Sequence, residues 1–289
     1  MKTAIVTGAT GFLGGALVTE LTKKGIYVYA LCRKNSQRLL RMEGLDNVHI
    51  IEVDLNDLTH INGFSSDVFY HVAWEGPRND FNKQYKNIAQ ALHCVSLAAK
   101  LGCKRFIGLG SQAEYGSING IITEESPLKP ITAYGSCKVA AYYLTTDLAN
   151  RLGIEHIWAR VFSVYGPHDN PNSLIPQLIA ALQNNSVFSL VSDGMHIWNY
   201  LHEEDAARVL RLLGEREGIS GVYNVASRES KPLREYVEIV RECVNKDAVV
   251  RYGSEKSEVK LKVDTGKLLA SVGEFERTKF YGEIFEKQV

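Results

Sequence analysis

Two side chains that could move a proton together stand at the start of a predicted helix. Tyr134 and Lys138 are four residues apart, so both project from one face of the helix, one turn apart. A fixed ammonium beside a phenol stabilises the phenolate and lowers the tyrosine pKa from about 10 toward the range in which it can exchange a proton. Reduction of a carbonyl group needs this chemistry. Because the spacing also occurs by chance, a surface pair is the alternative interpretation.

Ser111 adds a hydroxyl at the carboxyl end of a predicted strand. Parallel α/β sheets bind their ligands at this edge. The hydroxyl is therefore placed to hydrogen-bond a substrate oxygen while Tyr134 protonates it. A serine at a strand end is, on its own, typical of a turn cap. The catalytic interpretation therefore depends on the three candidate residues together: Ser111, Tyr134 and Lys138.

The segment from Thr7 to Gly14 has the glycine spacing of a phosphate-binding turn. It follows a predicted strand and opens a predicted helix. Gly8 would permit the tight turn, Gly11 the approach of the backbone to a pyrophosphate, and Gly14 close packing of helix and strand. The unpaired N–H groups of the helix N-terminus would bind the anion. The context predicts a dinucleotide site rather than a flexible turn.

The residues after the second predicted strand indicate which dinucleotide is bound. A carboxylate there would accept from the ribose hydroxyls of NAD, whereas cations would bind the extra phosphate of NADP. The chain has Arg33 and Lys34 at this point, with Arg38 after them and no acid. We therefore favour NADP(H) over NAD(H), with Arg33 as the 2′-phosphate clamp; a solvated basic loop is the alternative. Asp54, after the third strand, would accept from the adenine amino group or cap a helix.

Alternating strands and helices must position these residues. Buried apolar runs predict strands, and apolar residues at helical spacing predict helices. The predicted strands are Thr3–Thr7, Ile26–Cys32, His49–Val53, Val68–Val72, Arg105–Leu109 and His156–Phe162, and the predicted helices are Leu13–Lys24, Asp80–Leu101 and Ala133–Leu152. This order implies parallel pairing through right-handed crossovers. The predicted fold is α/β, a doubly wound parallel (Rossmann) sheet with a smaller C-terminal substrate lobe.

The chain changes character after Gly166. Residues 167–172 are rich in turn formers, and shorter, less regular elements follow. The length of 289 residues also exceeds the size at which single cores usually stop growing. We expect a dinucleotide-binding Rossmann domain over residues 1–166 and a mostly substrate-binding lobe over residues 167–289, some segments of which return to the first domain.

Composition excludes several classes of partner. Lys+Arg and Asp+Glu balance at 33 each, so no global basic field attracts nucleic acid or an anionic membrane. Met1–Val6 run directly into a strand pattern, and no apolar run approaches the ~20 residues of a membrane span. We expect a cytoplasmic protein that binds neither nucleic acid nor membranes. Five cysteines without a C-x-x-C pair predict buried free thiols, and His196 and His202 have no third ligand at suitable spacing, so no metal site is expected.

Taken together, the motifs resemble the extended short-chain dehydrogenase/reductase family, which includes nucleotide-sugar epimerases, dehydratases and 4-ketoreductases. Besides the glycine turn and the Tyr-x-x-x-Lys pair, the resemblance rests on His71-Val72-Ala73, Asn87, Ser111 to Gly116, Arg160 to Pro167, Tyr200-Leu201-His202 leading to Asp205, and Asp264 with Lys267. It implies that Ser111, Tyr134 and Lys138 form the catalytic triad. It also implies that Lys138 holds the nicotinamide ribose and that the C-terminal lobe binds a nucleotide-sugar.

The expected binding residues follow from the turn and from this resemblance. The cofactor contacts are Gly8, Thr10, Gly11, Phe12, Leu13, Gly14, Arg33, Asp54, Leu55, His71, Ala73, Asn87, Tyr134, Lys138 and Val161. The substrate contacts are Ser111, Gln112, Ala113, Tyr134, Ser163, Leu174 and Trp198.

Departures from the family pattern narrow the reaction. Sugar 4,6-dehydratases carry an acid pair directly after the catalytic hydroxyl residue, where this chain has Gln112 and Ala113. Members that epimerise next to a ketone place a cysteine where Ala113 stands. Glu114 is displaced by one residue and should point elsewhere, because successive strand side chains face opposite sides. Hydride transfer at a single carbon remains.

We therefore expect NADPH-dependent reduction of the C4 ketone of a nucleotide-activated 6-deoxysugar, with Tyr134 as the proton donor. An NAD-dependent nucleotide-sugar 4-epimerase using the same residues is the alternative, and a non-catalytic dinucleotide sensor on the same fold is a third interpretation. A homodimer is expected, formed by pairing of the helices Asp80–Leu101 and Ala133–Leu152.

The nucleotide diphosphate lacks its usual partners. Ser163 and Trp198 stand where many relatives have Asn and Arg. Arg228, or the backbone at Leu174 and Ile175, would then bind the diphosphate, unless the substrate is not a typical nucleotide-sugar. Trp198 would stack on a base or sugar, or pack between the lobes.

Overall fold

A computed structural model describes residues 1–118, 120–257, 259–275, 277–278 and 280 of the chain. The end of the predicted C-terminal lobe, residues 281–289, lies outside the described residues. The strands are β1 Thr3–Thr7, β2 Tyr27–Cys32, β3 Val48–Glu52, β4 Val68–His71, β5 Arg105–Ser111, β6 Ile121–Ile122, β7 Glu155–Val161, β8 Ser163–Tyr165, β9 Phe188–Ser192, β10 Ile197–Trp198, β11 Tyr200–His202, β12 Gly221–Val225, β13 Lys231–Pro232, β14 Val250–Glu255 and β15 Lys262–Val263. The helices are α1 Phe12–Lys23, α2 Phe81–Gln84, α3 Lys86–Lys100, α4 Ala133–Arg151, α5 Leu174–Gln183, α6 Glu203–Glu215, α7 Leu233–Val244 and α8 Gly266–Val272. Residues 37–42 and 112–114 form short 3-10 helices.

Seven parallel strands form the central sheet, in the order β3-β2-β1-β4-β5-β7-β12. The order reverses between β1 and β4, which is where doubly wound sheets bind ligands, at the carboxyl ends of their strands. The predicted Rossmann fold is confirmed. β12 comes from beyond Gly166 in the chain and pairs with β7 as the last strand at one edge of this sheet.

Two apolar layers hold helices against the sheet. On one face, side chains such as Val6 of β1 pack with Leu17 of α1 and Leu210 of α6. On the other face, Ile5 of β1 packs with Val95 of α3. Adjacent strand residues therefore serve opposite layers, as expected for strands that are buried on both sides.

A smaller lobe lies after β8. Its core is made mainly by α5 and α7, with β9 and β14 paired in parallel beside them. None of the helices described is long and apolar enough to cross a membrane.

The predicted helix Asp80–Leu101 is wrong in one respect, because the structure divides it into α2 and α3. The Asn87 side chain donates to the carbonyls of Lys83 (3.2 Å) and Gln84 (3.1 Å), and the N–H of Ile88 bonds to Tyr85 instead. The side-chain amide thus takes carbonyls that a continuous helix would use for its own N–H groups. Periodicity alone does not report this competition.

One cysteine also departs from expectation. Four of the five are buried, but Cys243 is exposed. The buried side of α7 runs through Tyr236, Val237 and Val240, and Cys243 falls outside that stripe.

Candidate functional site

Close backbone contacts build the glycine turn between β1 and α1. Gly8 has a φ of +66°, a conformation that favours glycine, and a Cβ on it would lie 2.9 Å from the backbone of Ala73. A Cβ on Gly14 would collide with the carbonyl of Gly8. Within the described part of the chain, no side chain caps the N-terminus of α1 and no acid occupies its first turn. Its N–H groups therefore face a cradle that suits a pyrophosphate.

Thr7, which the sequence analysis did not single out, ties this turn to β4. Its Oγ1 accepts the N–H groups of Val72 (3.1 Å) and Ala73 (3.2 Å) and lies 3.0 Å from Nδ1 of His71. Since Oγ1 accepts twice, we assign its hydrogen to Nδ1, which makes the imidazole neutral with its proton on Nε2. Burial, aided by the charge of Lys138, lowers the pKa of His71 to about 3, in agreement with a neutral ring. His71 thus stabilises the turn through its buried hydrogen bond with Thr7.

A cleft of about 1090 Å³ runs from this turn along the carboxyl ends of the strands. Ten predicted cofactor residues line it: Gly8, Thr10, Gly11, Phe12, Leu13, Gly14, Arg33, Asp54, Leu55 and Ala73. Single-ligand pockets typically measure ~300–1,000 Å³, so the cleft has room for a dinucleotide. The lining does not include the other predicted contacts, which are His71, Asn87, Tyr134, Lys138 and Val161.

The rim of the cleft after β2 is rich in cations. Arg33, Lys34 and Arg38 all contribute to the lining. The side chain of Arg33 is 83% exposed and lies 3.4 Å from Glu75, a weak contact at such exposure. A phosphate entering the cleft can therefore recruit the guanidinium at little cost.

Asp54 closes a local turn rather than capping a helix. Its Oδ1 accepts from the backbone N–H (2.9 Å) and the side-chain amide (2.8 Å) of Asn56. The carboxylate remains exposed at the mouth of the cleft, where it can accept a further hydrogen bond.

Ser111 and Tyr134 come together where β5 ends and α4 begins. Thr132 caps α4 by accepting the N–H of Gly135 at 3.0 Å, which sets the direction of the first turn. A hydrogen bond joins Ser111 to Tyr134. The guanidinium of Arg78, another residue missed from the sequence, lies 4.9 Å from the centre of the Tyr134 ring.

The pKa of Tyr134 is shifted in the direction opposite to that expected. Burial raises it above its usual value, and this effect exceeds the lowering by the Ser111 hydrogen bond and the Arg78 charge. The expectation that Lys138 lowers the pKa is therefore wrong for the protein without ligands. The ammonium is 5.8 Å from the centre of the tyrosine ring and is occupied elsewhere.

Lys138 is buried and held by two partners. Its Nζ donates to the carbonyl of Leu109 at 2.6 Å and lies 3.6 Å from the centre of the Trp74 ring. Burial lowers its pKa to about 7, against the opposing charge of Glu114. The lysine is thus balanced between its charged and neutral forms.

Glu114 points into the core from the 3-10 helix after β5, whereas the expectation of a side chain pointing elsewhere had assumed a continuing strand. Its carboxylate accepts from the backbone N–H of Ser111 (2.7 Å), the indole of Trp158 (3.0 Å) and Nε of Arg160 (2.7 Å). Both members of the Glu114–Arg160 pair are fully buried. Charge-assisted bonds of this kind fix the turn that carries Ser111 and leave no free oxygen for substrate.

The predicted substrate residues make separate contacts and do not line the dinucleotide cleft. Gln112 donates through Nε2 to Oγ of Ser163 at 3.3 Å, and its buried Oε1 has no partner in the described residues. The carbonyl of Ala113 packs against Gly135, at 2.5 Å from the place a Cβ would occupy. Leu174 begins α5 and packs on the core of the smaller lobe.

Trp198 packs between apolar clusters, and Arg228 forms an ion pair at the surface. Trp198 contacts two separate apolar clusters, which favours packing between the lobes over stacking on a ligand. Its buried indole N–H is unpartnered as far as the chain is described. Arg228 forms an exposed ion pair with Glu274 instead of facing the cleft.

The remaining motif residues have structural partners. Nδ1 of His202 accepts the N–H of Glu204 at the start of α6, and the ring of His196 packs edge-on against Trp198. Asp205 accepts from the backbone N–H of Thr278 at 2.9 Å. Oδ1 of Asp264 accepts the N–H of Gly266, the first residue of α8, at 2.6 Å, and Lys267 lies over the ring of Tyr223. No group of three or more His, Cys, Asp and Glu side chains within the described ranges is placed to hold a metal.

The comparisons with known proteins agree with this architecture. The sequence model of the NAD dependent epimerase/dehydratase family matches residues 4–226. An uncharacterized UDP-glucose epimerase of Bacillus subtilis is 22% identical over 272 residues, covering 87% of this chain and 85% of that protein. The dTDP-glucose 4,6-dehydratase of Streptomyces griseus is 25% identical over 258 residues, covering 84% of this chain and 79% of that enzyme.

Solved structures extend the likeness to the whole described fold. MoeE5, in complex with UDP-glucuronic acid and NAD, superposes with a TM-score of 0.85 at 25% identity, covering 99% of this chain and 100% of that one. The UDP-glucose 4-epimerase of Thermotoga maritima gives a TM-score of 0.84 at 21% identity, covering 99% of both chains. The predicted resemblance to the extended short-chain dehydrogenase/reductases is confirmed, and the chain belongs to the NAD dependent epimerase/dehydratase family of enzymes.

Proposed function

We propose that this enzyme is an NADPH-dependent reductase of the C4 ketone of a nucleotide-activated 6-deoxysugar. The observation that carries the proposal is the cationic rim of the cleft after β2, where Arg33, Lys34 and Arg38 replace the acid that suits NAD. A reductase consumes a fresh dinucleotide in each turnover, and NADPH is the reductant that such a rim favours.

The proposed reaction uses the three residues at the end of β5 and the start of α4. When bound, NADPH supplies the hydride to the carbonyl carbon. Ser111 donates a hydrogen bond to the carbonyl oxygen, and Tyr134 gives that oxygen its proton as the new C–H bond forms, so the ketone becomes a secondary alcohol. Lys138 offers its charge to the ribose side of the cleft and to the phenolate left on Tyr134.

The raised pKa of Tyr134 supports reduction. A proton donor must hold its proton until the reaction, and burial favours the neutral phenol. An epimerase needs the same tyrosine to act as a base in its first half-reaction. The absence of dehydration is supported by Gln112 and Ala113, which directly follow Ser111, and by Glu114, whose carboxylate is hydrogen-bonded to Arg160 in the core.

The alternative is an NAD-dependent 4-epimerase. It is favoured by the UDP-glucose epimerase relative and by the NAD bound in the MoeE5 complex. Assays of the purified protein distinguish the reductase from the epimerase. With a 4-keto-6-deoxysugar nucleotide, a reductase oxidises one NADPH per sugar. An epimerase instead equilibrates 4-hydroxy sugar nucleotides without a net change in the dinucleotide absorbance.

The rim itself is tested by Arg33→Ala. Loss of a charge-assisted bond to the 2′-phosphate should weaken NADPH binding by about 10-fold or more and leave NADH affinity nearly unchanged. Tryptophan fluorescence titration with both dinucleotides measures this. Arg216→Ala, an exposed arginine at the end of α6, is the control and should change neither affinity. Equal weakening of NADPH and NADH in Arg33→Ala would remove Arg33 from the phosphate site.

We also propose a homodimer. Large apolar side chains remain exposed on α2 and α4, including Phe81, Tyr143 and Leu144. Clustered exposed apolar residues of this kind are typical of protein interfaces.

A further inference from the structure

Trp74 lies between the dinucleotide cleft and the catalytic pair. It lines the cleft, its ring centre is 3.6 Å from Nζ of Lys138, and its ring meets that of Tyr134 edge-on at 6.2 Å. The lysine cation therefore sits directly on the face of the indole, where the negative face of the ring attracts it.

The indole is held by a buried polar framework. Its Nε1 donates to Oε1 of Gln84 at 2.7 Å, and Gln84 is fully buried. Nε2 of Gln84 donates in turn to the carbonyls of Gly76 and Pro77, each at 3.0 Å. Asn87 accepts the N–H of Glu75 at 2.9 Å and donates back to its carbonyl at 3.0 Å. The residues after β4 are thus tied to α2 and α3, which fixes the orientation of the ring.

These hydrogen bonds fix the plane of the Trp74 ring more tightly than a residue that only lines the cleft would need. An apolar wall needs only bulk, whereas a face-on contact with a cation needs a fixed ring plane. Asn87, expected as a cofactor contact, acts here through the segment that carries Trp74.

The other groups that face Lys138 leave its charge weakly supported. Glu114 favours the charged form from the turn after β5 without touching Nζ, and His71 of β4 is neutral. Tyr134, on the same helix, is protonated. The carbonyl of Leu109 takes one of the three ammonium hydrogens. Because burial already holds the pKa near 7, a modest contact decides how much of the lysine is charged.

We propose that Trp74 is a positioning residue that keeps the ammonium of Lys138 charged and fixed at the inner end of the cleft through the face of its ring. The importance of that charge for turnover rests on the proposed function. The effect on the lysine itself does not, since it depends only on contacts within the chain.

The test measures the pKa of Lys138 directly. Protein labelled with 13C at lysine Cε is titrated by NMR, and the resonance of Lys138 is identified by its loss in Lys138→Met. Surface lysines have pKa values of about 10.4, so the resonance of a buried lysine with a lower pKa titrates separately from theirs. In Trp74→Leu, which removes the ring but keeps the site apolar, the pKa of Lys138 should fall by about 0.5 to 1 unit. Trp74→Phe retains a ring face and should stay within about 0.3 unit of wild type.

Fluorinated tryptophan distinguishes the electrostatic effect of the ring face on Lys138 from the effect of side-chain volume. Fluorine withdraws electron density from the ring with little change in volume, so protein containing 5-fluorotryptophan should show a lower pKa of Lys138. The same labelling in Trp74→Phe should have a much smaller effect, because the remaining indole near Nζ of Lys138 is that of Trp158, whose ring centre is 6.0 Å away. A pKa that is unchanged or raised in Trp74→Leu, or a fluorine effect of undiminished size in Trp74→Phe, overturns the proposal.

Turnover supplies the second readout. Where the enzyme oxidises NADPH, the falling alkaline limb of its pH profile should move to lower pH in Trp74→Leu by the same amount as the NMR pKa. Lower turnover with an unmoved limb indicates a purely structural tryptophan and contradicts the proposal. If no keto-sugar is reduced, the proposed function fails, while the NMR result still decides the role of Trp74.

Discussion

At the scale of residues, the candidate site depends on charge states more than on residue types. Tyr134 keeps its proton because burial raises its pKa, and burial also lowers the pKa of Lys138 to about 7. Glu114 is the buried charge that opposes the lowering of the lysine pKa, and it also fixes the N–H of Ser111. The site therefore starts in the state that a proton donor needs.

Removal of the Tyr134 hydroxyl tests the proton donor. Tyr134→Phe should lower kcat by about 10² to 10⁴, the usual contribution of a general acid, while NADPH affinity changes less than about twofold. Steady-state kinetics and a fluorescence titration provide the two numbers. Tyr143→Phe removes a hydroxyl from the exposed side of the same helix and should behave as wild type. Turnover retained by Tyr134→Phe would contradict the mechanism.

At the scale of elements, tight backbone packing makes the junction of β1 and α1 a binding site. Gly14 brings the first turn of α1 against the carbonyl of Gly8, and Gly8 in turn touches Ala73. The next residue, Gly15, has no such constraint, since a Cβ there would meet its nearest atom at 3.6 Å. Two adjacent glycines of one helix therefore differ in function.

Alanine substitution at each glycine tests this difference. Gly14→Ala forces the turn open and should weaken NADPH binding by about 10-fold or more, with a lower Tm. Gly15→Ala should leave affinity unchanged and stabilise the fold by about 0.5–1 kcal/mol, because glycine in a helix is costly. Fluorescence titration and thermal melts decide. Equal effects of the two substitutions would show that close packing at Gly14 is not what shapes the site.

At the scale of the whole molecule, the two predicted units are interwoven. β12 and α6 follow the smaller lobe's first helix in the chain, yet they complete the Rossmann sheet and pack on α1. Trp198 joins the apolar clusters on either side. The smaller lobe is thus joined to the rest of the molecule through the chain order of the sheet and through the packing of Trp198.

Assembly is tested on the exposed face of α4. Leu144 is 48% exposed, and we expect it in the proposed homodimer interface. Leu144→Glu should convert a dimer to monomers in sedimentation velocity at micromolar concentration, because a charge would be buried without a partner. Val191→Glu alters a residue of β9 that is 70% exposed and should leave the assembly unchanged. A wild-type monomer, or a dimer that persists in Leu144→Glu, contradicts the proposal.

The sequence by itself determined the order of most strands and helices, the glycine turn and the identity of the candidate catalytic residues. These features are local: periodicity, glycine spacing and a Tyr-x-x-x-Lys pair are encoded within a few residues of one another. The direction in which Glu114 points was not determined by strand alternation, because β5 ends at Ser111 and Glu114 lies in the 3-10 helix that follows.

Only the tertiary structure decided which partners these residues meet and which charges they carry. Glu114 and Arg160 are separated by 46 positions, and the contact of Trp74 with Lys138 joins the segment after β4 to α4. Burial sets the pKa values of Tyr134 and Lys138, and burial exists only once distant segments have packed. The break between α2 and α3 arises in the same way, because Asn87 bonds to the segment that carries Trp74 as well as to its own helix.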